Sequence, residues 1–270
     1  MHVVLFACAG LLSVLPAAAQ HASDPGPASH PFAFGLVDGG GSSGETKIYD
    51  IRVPIGYTLI PADDQRWGLR LRLIVYAGVY DFLAAEDPVL DVRFKSLAAT
   101  PGVEFLIPVG GGWMLKPFAE IGYGRDFDDN LGAGIWSAGL RTLVTWDLEG
   151  TAVSLGTELK YLSTFTSDVG EYDDFGEIEL GIDARRPVGF SIGGNPADLG
   201  VYVIRRHFID AVFERNGGET VEIEATNEIG ISLGTTPRTS IWFFKLPRLG
   251  LGYRWGSGVR GVRLNFGFPF

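Results

Sequence analysis

The sequence predicts an all-β fold: a single-chain antiparallel transmembrane β-barrel of twelve strands, with ten as the alternative. Three observations carry this reading. Apolar residues take every second place in segment after segment between Thr46 and Phe270, the period of a strand whose two faces meet different surroundings. Hydrophobic residues make up 46% of the chain, yet beyond the N-terminus they never run for the roughly 18 positions that a membrane helix needs. Tryptophan and tyrosine recur toward segment ends, at Trp67, Tyr80, Trp113, Tyr123, Trp136, Trp146, Tyr161, Trp242 and Trp255, as rings do where hydrocarbon meets headgroup.

Residues 1–19 read as a secretory signal peptide. Val3 to Leu15 form an apolar core, Pro16 breaks it, and Ala17, Ala18 and Ala19 offer a cut between Ala19 and Gln20. No Lys or Arg precedes the core. Leu5-Phe6-Ala7-Cys8 loosely resembles a lipoprotein cleavage box, which makes lipidation the minor alternative. Cys8 is the single cysteine. Its loss with the signal would leave no disulfide and no thiolate-bound metal. Residues 20–45 read as a flexible tail, with a linker at D-G-G-G-S-S-G and a short apolar piece at 32–37 that suits an added strand or a plug.

The barrel itself is expected over residues 46–270. Tyr49, Ile51, Val53, Ile55, Tyr57 and Leu59 share one face of the first strand. P-A-D-D-Q turns the chain, and Trp67 to Val79 alternate against Arg70 and Arg72. A long segment near 91–109 sets Val103, Phe105, Ile107 and Val109 opposite Glu104, with a bulge or phase change expected at Pro101-Gly102. After a glycine turn, Trp113 to Tyr123 alternate against Lys116 and Glu120. Trp136 to Trp146 alternate against Arg141, and Val153 to Tyr161 against Glu158 and Lys160. Ile178 to Ala184 face away from Glu177, Glu179, Asp183 and Arg185. Later segments are less regular: 199–213, with a phase change near Val203 and Ile204, then 220–234, 241–255 and 259–270.

About eleven such segments recur, and bacterial barrels usually have an even strand count, hence twelve. Short turns such as V-G-G-G and D-L-E-G alternate with longer connections near 81–91, 125–132, 165–174 and 188–198, the outer-membrane pattern. A soluble sandwich also alternates. The membrane reading is favoured because the polar faces hold charges of both signs, which a lumen can pair. Candidate lumen-lining residues are Arg70, Arg72, Glu104, Glu120, Arg141, Glu158, Lys160, Arg254 and Arg263. The net charge of −10 argues against nucleic-acid partners.

The ending V-R-L-N-F-G-F-P-F places Val262, Leu264, Phe266, Phe268 and Phe270 on one stripe. It resembles the C-terminal strand of Gram-negative outer-membrane barrels, a class whose assembly machinery recognises such a strand. Residues 94–109 with 115–124, and residues 249–270, resemble the solitary autotransporter-like outer-membrane barrels more specifically. The resemblance implies the bacterial outer membrane, contact with its lipid and lipopolysaccharide, a twelve-stranded translocator-type barrel without a passenger, and a structural or passive transport role.

Chemistry is sparse. His21, His30 and His207 are the histidines beyond the signal, and only His207 lies in the barrel. An ester hydrolase commonly needs a Ser–His pair, and no Ser stands two or four residues from His207. A rim or lumen role is expected for His207, and no enzyme. Asp126, Asp128 and Asp129, and Glu171, Asp173 and Asp174, form acidic runs without calcium-loop spacing. They are read as solvated loop charge, with divalent bridging to lipopolysaccharide as a weak second. Gly39–Gly41 and Gly110–Gly112 lack the sequence of a phosphate loop. No metal or cofactor is expected. A small porin-like channel, a lipid-modifying enzyme and a surface adhesin are the alternatives.

Overall fold

Alternation in the sequence becomes inside and outside in space. The computed structural model describes residues 48–80, 93–127, 130–166, 171–209, 212–215, 219–222, 224–237, 239–241, 244–245, 248–256 and 259–266. The signal peptide with its Ala19–Gln20 cut, the tail, the 32–37 segment, Asp128, Asp129, Trp242, Phe268 and Phe270 lie outside these residues.

The strands are β1 (Ile48–Ile60), β2 (Gly68–Tyr80), β3 (Arg93–Gly110), β4 (Trp113–Asp126), β5 (Gly132–Leu148), β6 (Thr151–Thr166), β7 (Glu171–Ile192) and β8 (Asn195–Ile209). A small hairpin, β9 (Val212–Arg215) and β10 (Glu219–Glu222), follows. Next come β11 (Ala225–Thr235), a second small hairpin of β12 (Ser240–Ile241) and β13 (Phe244–Lys245), then β14 (Leu249–Gly256) and β15 (Val259–Phe266). Eleven of them, β1–β8, β11, β14 and β15, close into one barrel.

Eleven corrects the expected twelve, and also ten. Neighbours along the chain pair antiparallel, so an odd count leaves the first and last strands pointing the same way. The barrel therefore closes by a parallel pairing, with Ile51 opposite Leu264 and Arg52 opposite Asn265. It also places the described ends at opposite rims. Ile48 pairs with Tyr80, beside the 81–92 connection, whereas Phe266 pairs with Leu249 at the other rim.

Three further expectations are corrected. The connection expected near 188–198 is strand on both sides of a two-residue turn, Gly193-Gly194. Both glycines have positive φ, 58° and 83°, the twist that matches a hairpin. Glu149 and Gly150 turn the β5–β6 hairpin in the same way. No phase change occurs at Pro101-Gly102, where Leu73 and Arg72 keep register with β3. Nor does one occur near Val203. There the inward residues Tyr202 and Ile204 are apolar, while Arg205 and His207 point outward, so the pattern inverts without a shift of register.

The outer wall is apolar around the whole barrel. Tyr57, Leu71, Phe105, Ile121, Leu159, Ile182, Val203, Ile231, Leu251 and Leu264 are all exposed. Such a continuous surface would drive a soluble protein to aggregate but suits the hydrocarbon of a bilayer. The closed, apolar-walled barrel is that of a membrane-spanning protein of the outer-membrane kind. Aromatic rings mark both rims of the wall. Trp136 and Tyr161 approach to 5.3 Å near the loop end, and Trp67 and Phe105 to 5.9 Å near the turn end.

Candidate functional site

Inside the barrel the alternate residues of each strand converge, and most are polar or charged. Burying a charge is costly unless it is paired. The register brings the partners together in rows.

One row crosses four strands. Arg141 on β5 stands opposite Glu158 on β6, Glu158 opposite Glu179 on β7, and Glu179 opposite Arg206 on β8. Lys116 on β4 extends it beyond Arg141. The adjacent row runs Arg70, Glu104, Phe118, Gly139, Lys160, Glu177 and Phe208.

Glu104 is the hub of the first cluster. Arg70 Nη1 donates to its Oε2 at 3.0 Å, and Arg141 Nη1 to its Oε1 at 3.3 Å. Arg72 ties it to Glu120, with Nη2 3.1 Å from Oε1 of Glu120. Ser137 donates to the other Glu120 oxygen at 2.9 Å. Arg141 Nε donates to Glu158. The guanidinium groups of Arg72 and Arg141 lie 4.9 and 4.6 Å from the centre of the Phe118 ring, which gives two like charges an aromatic partner. The ring fits because residue 139 is glycine: a Cβ there would come within 2.7 Å of it. Lys160 is buried and interacts electrostatically with Glu120, Glu158 and Glu177.

Glu228 on β11 is the hub of a second cluster. Arg206 Nη1 donates to its Oε2 at 3.1 Å and Arg263 Nη1 to the same oxygen at 3.4 Å. Tyr202 Oη donates to its Oε1 at 2.9 Å, and Asn265 Nδ2 donates to Tyr202 at 2.8 Å. Arg206 also pairs with Glu179, and Arg254 acts electrostatically on Glu228. A third group lies nearer the turn end, where Arg248 pairs with Asp198 and Arg185 Nε lies 2.7 Å from Asp183 Oδ2.

Of the residues singled out in the sequence, Arg70, Arg72, Glu104, Glu120, Arg141 and Glu158 are joined in the first cluster, with Lys160 against it. Arg254 and Arg263 belong with the second. Arg72, Glu104, Glu120, Arg141, Glu158 and Lys160 are each buried to 7% exposure or less, so the lumen at this level holds little free space. Sequence reasoning missed Arg206 and Glu228, because the irregular pattern of 199–234 hid which face each occupies. His207 lies on the outer wall, between Ile178 and Ala225 in the ladder. Gly110, Gly111 and Gly112 form the β3–β4 turn with positive φ. Among the described residues, no group of three His, Cys, Asp or Glu is placed to hold a metal ion. The closing stripe is outward at Val262 and Leu264.

No family model matches the chain, and no curated protein matches it.

Proposed function

We propose that the protein is an integral barrel of the bacterial outer membrane with a structural, non-catalytic role, its lumen closed at mid-height by ion pairs. One observation carries the reading: the rows from the half-buried Arg70 to Glu177 and from Arg141 to Arg206, otherwise buried, whose charges neutralise one another. A wide aqueous pore keeps its lining charges hydrated, whereas these are packed against one another and out of water. The resemblance of the closing strand to outer-membrane barrels, and of two stretches to autotransporter-like ones, supports a translocator-type barrel. It also supports assembly by the machinery that reads such strands.

Planar-bilayer recording tests the lumen. Wild-type protein is expected to give no steady open channel across a range of voltages. A large, discrete conductance would favour the porin-like alternative instead. Membrane fractionation with heat-dependent gel mobility tests the placement, and a soluble product without a mobility shift would overturn it.

A further inference from the structure

On β8 an arginine and a histidine face away from the lumen. Arg205 and His207 are exposed on the outer wall, two positions apart on one side of the strand, about 6.6 Å along it. Below them the same side is apolar, with Val201 and Val203 on β8 and Ile229 and Ile231 on β11, all about half exposed. Arg205 and His207 thus interrupt the apolar wall on its way to the loop end, between Val203 and the exposed Ile209.

Its surroundings hold it there. Arg205 Nη1 donates to Asn227 Oδ1 at 2.9 Å, which fixes the guanidinium and leaves its other donors available to a ligand. Trp255 is the ladder partner of Asn227, and Tyr253 stacks on it with ring centroids 6.0 Å apart. These rings belong at headgroup depth. The ladder neighbours of Arg205 are Leu180 and Asn227, and those of His207 are Ile178 and Ala225, so no described ladder partner is a carboxylate. On β7, the outward Asp174 accepts a hydrogen bond from Tyr161 at 2.7 Å. A cation fixed at the headgroup level of an acidic protein needs an anion from its surroundings. The planar fork of arginine matches phosphate.

We propose that Arg205, His207 and Asn227 form a binding site for the phosphate of an anionic membrane lipid at the loop-end interface. Arg205 provides the charge, His207 a second N–H donor, and Asn227 the positioning. The site rests on the membrane-barrel reading above.

The test uses the full barrel in nanodiscs of phosphatidylcholine doped with phosphatidylglycerol of the same acyl chains, with retained lipid counted by native mass spectrometry. Wild type is expected to retain phosphatidylglycerol preferentially. The R205Q/H207Q variant is expected to lose that preference by about tenfold or more, the scale of one charge-assisted hydrogen bond. R186Q, which removes an outward arginine at the turn end, keeps it. Heat-dependent gel mobility checks that each variant is folded. Equal preference in wild type and R205Q/H207Q overturns the site, as does displacement of the lipid by excess inorganic phosphate, which would mark a site for free anion. A chain that fails to enter nanodiscs at all refutes the membrane reading itself, whereas entry without lipid preference refutes only the site.

Discussion

Glu158 and Glu179 face each other across the β6–β7 ladder, both buried, each backed by an arginine on its far side. Like charges directly opposite one another destabilise a sheet. Here Arg141 and Arg206 turn the repulsive pair into the middle of a balanced row.

Removing one arginine should therefore cost more than removing an ordinary surface ion pair. Arg141→Gln leaves Glu158 opposed to Glu179 and takes a donor from Glu104, and is expected to destabilise the barrel by about 3–5 kcal/mol. Adding Glu158→Gln should recover part of the loss, because the repulsion goes with it. Urea titration in lipid vesicles, read by gel mobility, measures both.

The closed lumen makes a related prediction. Arg72→Ala with Arg141→Ala removes both guanidinium groups beside Phe118, leaves Glu104 with Arg70 alone and takes the arginine from Glu120. The double variant should conduct cations in planar bilayers where wild type stays silent. Equal silence in the folded variant would show that other groups seal the barrel.

Gly139 has a steric task. An added Cβ would meet the Phe118 ring at 2.7 Å and the Leu159 carbonyl oxygen at 2.3 Å. Gly139→Ala is expected to cost about 1–3 kcal/mol, the usual penalty of overpacking. Phe118→Leu in the same chain should relieve the part that comes from the ring, and the same titration reports it.

Tyr202 couples β8 to β11 and to β15 through Glu228 and Asn265. Tyr202→Phe removes the hydroxyl alone and should cost about 1.5–3 kcal/mol, as for a hydrogen bond to a charged group. An unchanged midpoint would mean that Glu228 is fully served by Asn265, which donates to the same oxygen, with Arg206 and Arg263 on the other.

On the outer wall the penalty should depend on depth. Ile231→Arg, at mid-height, is expected to cost about 2–4 kcal/mol, and Leu148→Arg, beside the tight turn, about 0–1 kcal/mol. Equal penalties at the two positions would contradict a lipid-facing surface.

The wall was more legible in the sequence than the seam. From Tyr57 to Ile182 the outward places are apolar in strand after strand, because lipid accepts nothing else, while the inward ones mix charges with buried apolar residues such as Ile74, Phe118 and Leu162. On β8 the rule inverts. Tyr202 and Ile204 turn inward, and Arg205 and His207 outward, so apolarity no longer names the face. That inversion hid Arg206 from sequence reasoning and, through the register, Glu228 as well. Strand number was illegible for another reason. Period two fixes which way a side chain points but not how many strands a ring contains, and closure depends on pairing between residues as distant as Ile51 and Leu264. The connection expected at 188–198 failed because its Pro and Gly residues read as loop, while β7 carries them on to Gly193.

An odd number of crossings has a simple arithmetic. A path that traverses a sheet of lipid an even number of times returns to its starting side, and one that traverses it eleven times does not. Ile48 and Phe266 therefore open onto different compartments. An epitope placed at each would be reached from opposite sides of an intact cell envelope layer. The molecule resembles a rivet with two unlike heads, and its polarity resides in the parity of the count and in no individual side chain.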